Sequence, residues 1–319
     1  MIGPESSEKY MGNQENIREK ATRQLSFSET LVSLLLRAMP IKHGKHRLLD
    51  RITPKAWNKS GDLVAFSIHG RNVIVDPYDL VGWHFAMLRS FDPEVIEILE
   101  KACNPDVNEV LWDIGANKGA CFCSLAAKLP LLHVVAIEPQ AKLCANNIIN
   151  LESLCPGRYE YVQAGLGEEE AELTLVIPNS NFGGASLHIQ PGGPDDESEV
   201  IKIRTASQVA EGSQFGWPTI VKIDVEGHEP QVFRSLEPGI ASQTCKALVF
   251  ENHAAEAAAF HAVKSVTEPH GYRIFGIQKS PWATRLVPAR NQLMQVTDYA
   301  VIRKDVVTEN KRIARLIGN

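Results

Sequence analysis

From residue 109 onward, short apolar runs alternate with longer amphipathic stretches. The apolar runs fall at 109–114, 133–138, 159–164, 219–224 and 246–251, and helical periodicity fits 118–128, 140–151, 229–236 and 254–268. Strands that are apolar on both faces, each followed by a helix, predict a parallel sheet covered on both sides. A long insertion separates the third and fourth strands. It carries two further strand candidates, 171–178 and 199–204, around a loop at 180–198 that contains Gly183, Gly184, Gly192 and Gly193. The segments 272–277 and 299–304 predict a closing antiparallel pair.

Upstream of 109 the pattern is different. Residues 1–24 are polar and lack apolar periodicity, which predicts a flexible tail. Ser28 is placed to cap a helix running through Leu31, Leu34, Leu35 and Ala38 until Pro40 stops it. Basic residues concentrate at 42–59, which reads as a solvated basic face. Two strand-like runs around His69-Gly70 predict a hairpin over 63–76. Asp92-Pro93-Glu94 has the form of a helix start, with an N-cap, a first-turn proline and an acid near the positive end of the dipole. Val95, Ile96, Leu99 and Cys103 then form its buried face. The expected organisation is a tail (1–24), an N-terminal helical and hairpin extension (25–105), a main α/β domain (106–305) and a helical C-terminal tail (306–319).

Composition narrows the partners. A net charge of −5 gives no global reason to expect nucleic acid or an anionic membrane. The run Leu31–Leu36 is too short to span a bilayer and follows a charged N-terminus, so neither a transmembrane segment nor a signal peptide is expected. Six scattered cysteines without a C-x-x-C pair point to buried, reduced thiols and a cytoplasmic setting.

The candidate chemistry lies where strands end. Ligands of open parallel sheets bind at the C-terminal strand ends. The first strand runs into Asp113-Ile-Gly115-Ala116-Asn117-Lys-Gly119, and the second ends at Glu138, 23 residues beyond Gly115. The glycines allow close backbone approach. The full G-x-G-x-x-G pattern is missing, and Asp113 would repel a pyrophosphate. An acid in the first loop and another after the second strand suit a ligand with a cationic amino-acid end and a ribose, as in S-adenosylmethionine. Gln163 and Ala164, closing the third strand, are candidates to border its adenine.

The fourth strand runs into Asp224, Glu226, His228 and Glu229, more ionisable groups than a helix cap requires. An Asp with a nearby His suits deprotonation of a hydroxyl. There is no Asn-Pro-Pro-Tyr, which suits exocyclic amines, and no Pro-Cys nucleophile of the kind used for pyrimidine C5. Glu229 fits a role on the dipole of the next helix. The fifth strand ends in Glu251, Asn252 and His253. Asp224, Glu251 and Asn252 could together hold Mg²⁺ or could act on substrate directly, and the sequence leaves both open. Asn181 and Ser186, on the insertion loop, are placed to reach a polar substrate, as is His253.

The stretches VLWDIGANKG, VVAIEP, AGLG, NFGGASL and VKIDVEGHE occur in this order and spacing. In combination they resemble the FkbM family of S-adenosylmethionine-dependent methyltransferases, over roughly residues 75–275. The resemblance implies a class I methyltransferase fold with a mostly parallel, seven-stranded sheet of Rossmann type. It implies O-methylation of a sugar, a glycan or a glycosylated or polyketide-type natural product. It implies cofactor contacts from Asp113, Gly115, Asn117 and Glu138, with Asp224, Glu226 and His228 facing the substrate. An RNA ribose methyltransferase with 42–59 as its phosphate track is an alternative, opposed by the acidic net charge and the lack of interleaved aromatics. A catalytically silent scaffold is another, opposed by the intact acidic cluster at 224–229. The expected partner is a small molecule or glycan; a homo-oligomer stays open.

Overall fold

Apolar strands without a polar face need cover on both sides, and the helices between them supply it. The computed structural model describes residues 22–53, 62–178, 185–187, 196–252 and 257–317. In chain order the N-terminal part holds β1 (Thr22–Gln24), α1 (Phe27–Ala38), α2 (Lys45–Ile52), β2 (Leu63–Ile68), β3 (Arg71–Val75), α3 (Leu80–Leu88) and α4 (Pro93–Ala102). The alternating part follows with β4 (Val110–Ile114), α5 (Ala120–Lys128), β5 (His133–Ile137), α6 (Ala141–Leu154) and β6 (Tyr159–Val162). The insertion contributes β7 (Gly165–Leu166), β8 (Ala171–Ile177) and β9 (Glu197–Arg204), then α7 (Ala206–Gly212). The chain continues through β10 (Ile220–Ile223), α8 (Glu229–Ala241), β11 (Ala247–Glu251) and α9 (Ala257–Thr267). It closes with β12 (Tyr272–Lys279), β13 (Thr284–Pro288), β14 (Asp298–Arg303), α10 (Lys304–Glu309) and α11 (Lys311–Ala314).

The large sheet has the order β13-β12-β14-β11-β10-β4-β5-β6. Its β11-β10-β4-β5-β6 half is parallel, and β14, β12 and β13 join antiparallel. The strand order reverses beside β4, which places a ligand crevice at the C-terminal ends of β4 and β10. Among the described residues the sheet has eight strands, not seven. The extra edge strand, β13, is short and ends in Pro288, and its sequence carries little strand signal of its own.

The insertion forms a separate three-stranded sheet, β7-β9-β8. Gly165 and Leu166 therefore leave the large sheet and pair in parallel with Ile203 and Arg204. The hairpin β2–β3 turns at His69-Gly70 as expected. Its Val64, Phe66, Val73 and Val75 share one buried cluster with Leu99 of α4, Leu111 of β4, Phe122 of α5 and Val134 of β5. Asn150 of α6 docks the hairpin by pairing with the backbone of Ile74, accepting its N–H at 2.9 Å and donating to its carbonyl at 2.8 Å.

Two helix starts differ from expectation. Ser26, not Ser28, caps α1, because Glu29 lies three residues on and completes a capping box with it. The buried side of α1 is Ser33 and Leu36, while Leu31, Leu34 and Leu35 face outward. Asp92 precedes α4 in a left-handed conformation (φ 46°), and its side chain makes no capping bond. All six cysteines are buried and free. Among the described residues no helix is long and apolar enough to cross a membrane.

Candidate active site

A pocket open to solvent lies over the C-terminal ends of β4, β5 and β10 and under the small sheet. Its apolar walls include Ile137, Leu166, Ile201 and Ile203; Asn117, Glu138, Gln140, Asp224, Glu226 and His228 supply its polar groups.

The glycine loop is held by the sheet edge. Gly115 and Ala116 N–H both donate to the Ile137 carbonyl, at 2.9 and 3.1 Å. Gly115 has φ +70°, and a Cβ there would stand 1.9 Å from the Asp224 carbonyl oxygen. Only glycine lets the β4 and β10 ends approach this closely. Asn117, also left-handed (φ 48°), donates its N–H to Glu138 Oε2 at 2.8 Å, and Asn147 Nδ2 donates to its carbonyl. Gln140 N–H donates to the other Glu138 oxygen at 2.9 Å. Burial raises the Glu138 carboxyl to about 7, against the lowering effect of these two N–H groups.

Gly115, Asn117, Glu138 and Ala164 therefore line the pocket, but four other cofactor candidates do not. Asp113 is fully buried and turns away: its Oδ2 accepts the Phe122 N–H at 3.0 Å, stapling the start of α5, and Oδ1 lies 3.7 Å from Lys222 Nζ. Ala116 packs in the core. Gly119 caps α5, and a Cβ there would meet the Phe122 ring at 2.4 Å. Gln163 is exposed beyond the strand end.

Asp224 lines the pocket with its side chain 31% exposed, its Oδ2 3.2 Å from Lys222 Nζ. Lys222 sits two residues back on the same face of β10 and also donates to the Gly115 carbonyl at 2.7 Å. Burial opposes its charge, but Asp224 and Asp113 overcome that and hold the ammonium firmly protonated. Glu226 occupies a left-handed turn position (φ 51°). Glu229 accepts the N–H groups of Val225 and Gly227, fixing that turn. His228 precedes α8, and its Nε2 points to the small-sheet side, 3.5 Å from where a Gly167 Cβ would stand. Ser186 is buried, and its hydroxyl donates to the Glu226 carbonyl at 2.8 Å, tying the insertion to the turn after β10. Asn181, His253 and most of the loop 180–198 lie outside the described residues.

On the far side of Asp224 the structure gathers acids that β-strand register brings together. Glu251 stands opposite Asp298 in the β11–β14 pair. Burial, then the charges of Asp224, Asp298, Glu226 and Asp92, raise the Glu251 carboxyl to about 8. Burial, then Glu94, Asp298 and Asp224, raise Asp92 likewise to about 8. Lys279 offsets part of this charge, pairing with Asp298 at 2.8 Å and with Glu94. Asn252, next in the chain to Glu251, is buried and its backbone N–H donates to the Thr297 carbonyl, while Lys222 stands against Asp224. Among the described residues no group of three or more His, Cys, Asp or Glu is placed to hold a metal ion.

Comparison with known proteins follows the same residues. The sequence model of the Methyltransferase FkbM domain matches residues 113–274, just over half of the chain. Hexuronic acid methyltransferase AglP of Haloferax volcanii is 27% identical over 174 residues, 54% of this chain. The match spans 66% of that relative, just under two thirds of its length. Among solved structures, precorrin-6y C5,15-methyltransferase from Geobacter metallireducens GS-15 superposes with TM-score 0.36 at 13% identity, covering 67% of this chain and 87% of that one. TYW2 of M. jannaschii in complex with AdoMet superposes with TM-score 0.36 at 13% identity, covering 75% and 84%.

Proposed function

The chain belongs to the FkbM methyltransferase family, and from that premise we propose that it moves a methyl group from S-adenosylmethionine to a hydroxyl of a sugar. The observation that carries this is Glu138. Each of its oxygens accepts one backbone N–H, which leaves acceptor capacity in the pocket for two ribose hydroxyls. The apolar walls beside it suit a purine. The residues present therefore fit the cofactor, although Asp113 does not line the pocket. When bound, S-adenosylmethionine supplies a sulfonium methyl carbon open to in-line attack.

The chain's own part is to position the acceptor and take its proton. Asp224 is the base: it lies in the pocket, part-exposed, with Lys222 fixing one oxygen. Burial and the neighbouring acids raise the Glu251 carboxyl to about 8, so this neighbour of Asp224 adds little negative charge at neutral pH. Glu226 and His228 bound the acceptor's space. The hexuronic acid named for the relative supports a uronic sugar as acceptor. A base at Asp224 serves a hydroxyl, which must lose a proton on methylation, and not a carboxylate, which is already ionised, so the favoured nucleophile is a hydroxyl and the product a methyl ether.

Glu138 gives the test. A carboxylate that accepts ribose hydroxyls binds best when ionised, so its pKa falls from about 7 on binding. Calorimetry with S-adenosylhomocysteine at pH 7, in buffers of different ionisation enthalpy, is expected to show proton release. Affinity should weaken as the pH drops below 7. Glu138→Gln should remove the proton release and cost about 1–3 kcal/mol of binding. Binding by the wild type with no proton exchange would take Glu138 off the ribose.

A further inference from the structure

The N-terminal helices carry a surface that methyl transfer does not use. On α1, Phe27, Leu31, Leu34 and Leu35 are 87, 48, 54 and 61% exposed. At helical spacing they form one stripe, opposite the side that buries Leu36 against Leu49, Trp83 and Met87. Isolated exposed apolar residues need no explanation, but four in one stripe do.

The segment that carries this stripe is basic. Residues 22–52 hold six Lys and Arg against two Asp and Glu, in a chain of net charge −5. Both acids are engaged, Glu29 with Arg23 and Asp50 with His84. Arg37, Arg47 and Arg51 are exposed and make no ion pair among the described residues. Arg47 and Arg51 lie on α2, one turn apart and opposite its buried Leu49, with exposed Ile52 beside them. Lys45 Nζ donates to the Arg37 carbonyl, joining the start of α2 to the end of α1.

We propose that α1 and α2 form an interfacial anchor that lies on an anionic lipid surface, with the α1 stripe in the acyl boundary and the arginines among the headgroups. An apolar helix face bordered by cations is the signature of in-plane membrane binding. A second copy fits less well, because a two-fold contact through this face would bring two basic patches into one interface. A nucleic acid would use the arginines and leave the apolar stripe wet.

The test is co-flotation of the full chain with vesicles of phosphatidylcholine alone or with phosphatidylglycerol. The protein is expected to float with the anionic vesicles at low salt, and not with the neutral ones. Leu31→Asp with Leu35→Asp should abolish flotation. Arg47→Gln with Arg51→Gln should weaken partitioning by roughly 30-fold, from about 1 kcal/mol per cation. These side chains are exposed, so the variants should melt as the wild type does, and the arginine pair serves if the leucine pair misfolds. No flotation of the wild type, or flotation that survives the leucine changes, overturns the anchor. So does a wild-type dimer that Leu31→Asp with Leu35→Asp splits, since a second copy would then cover the stripe.

Discussion

Asp224→Asn is expected to lower turnover by about 10²–10⁴-fold, the usual range for a positioned proton-transfer group. The carboxylate lies in the pocket at the end of β10, and an amide of the same shape cannot take a hydroxyl proton. Cofactor affinity should stay nearly unchanged, because Glu138 lies at the end of a different strand. The change therefore falls on kcat, which separates a lost base from a disordered site. Losing the charge also frees Lys222, which keeps its bond to the Gly115 carbonyl and its neighbour Asp113, so the fold should persist. A wild type that loses activity in EDTA and regains it with Mg²⁺ would make Asp224 a ligand instead of a base. Full activity of Asp224→Asn would make the acidic turn structural.

Gly115→Ala is the change expected to damage the molecule most. The added Cβ would stand 1.9 Å from a backbone oxygen, at a left-handed φ of +70°. Neither β4 nor β10 can retreat without breaking their parallel pairing. The expected loss is about 2–5 kcal/mol, combining overpacking with an unfavourable backbone region. Thermal melting should show it, with activity lost in parallel. Gly157→Ala is the control: it has the same φ of +70° but nothing within 4 Å, so it should cost only the backbone share, about 1–2 kcal/mol. Equal losses for the two variants would show that the contact with Asp224 does not matter.

What the sequence disclosed follows from how local each signal is. The apolar strands and the residues at their ends are local patterns, and the five parallel strands, Gly115, Glu138 and Asp224 stand where the pattern puts them. Asp113 is a strand residue too, but whether its side chain meets ligand or helix depends on where α5 starts, which periodicity does not encode, and the Phe122 N–H donates to its Oδ2. Lys222 had a local signal, the two-residue repeat that sets it on the same face as Asp224. Asp92 and Asp298 had none. They reach Glu251 only through the packing of α4 and the antiparallel register of β14, far apart in sequence. On α1 the leucine spacing indicated an amphipathic helix correctly, but not which side is buried. A single leucine, Leu36, wins the core because Trp83 and Met87 lie on its side.

The most direct test of methyl transfer to a sugar hydroxyl is product analysis. Purified protein is incubated with methyl-labelled S-adenosylmethionine and uronic acid glycosides, and the labelled sugar is treated with mild alkali. The expected result is label that alkali leaves in place, as in a methyl ether, and that Asp224→Asn fails to produce. Label released by alkali as methanol, as from a methyl ester, or cofactor binding without transfer to any sugar, would contradict it.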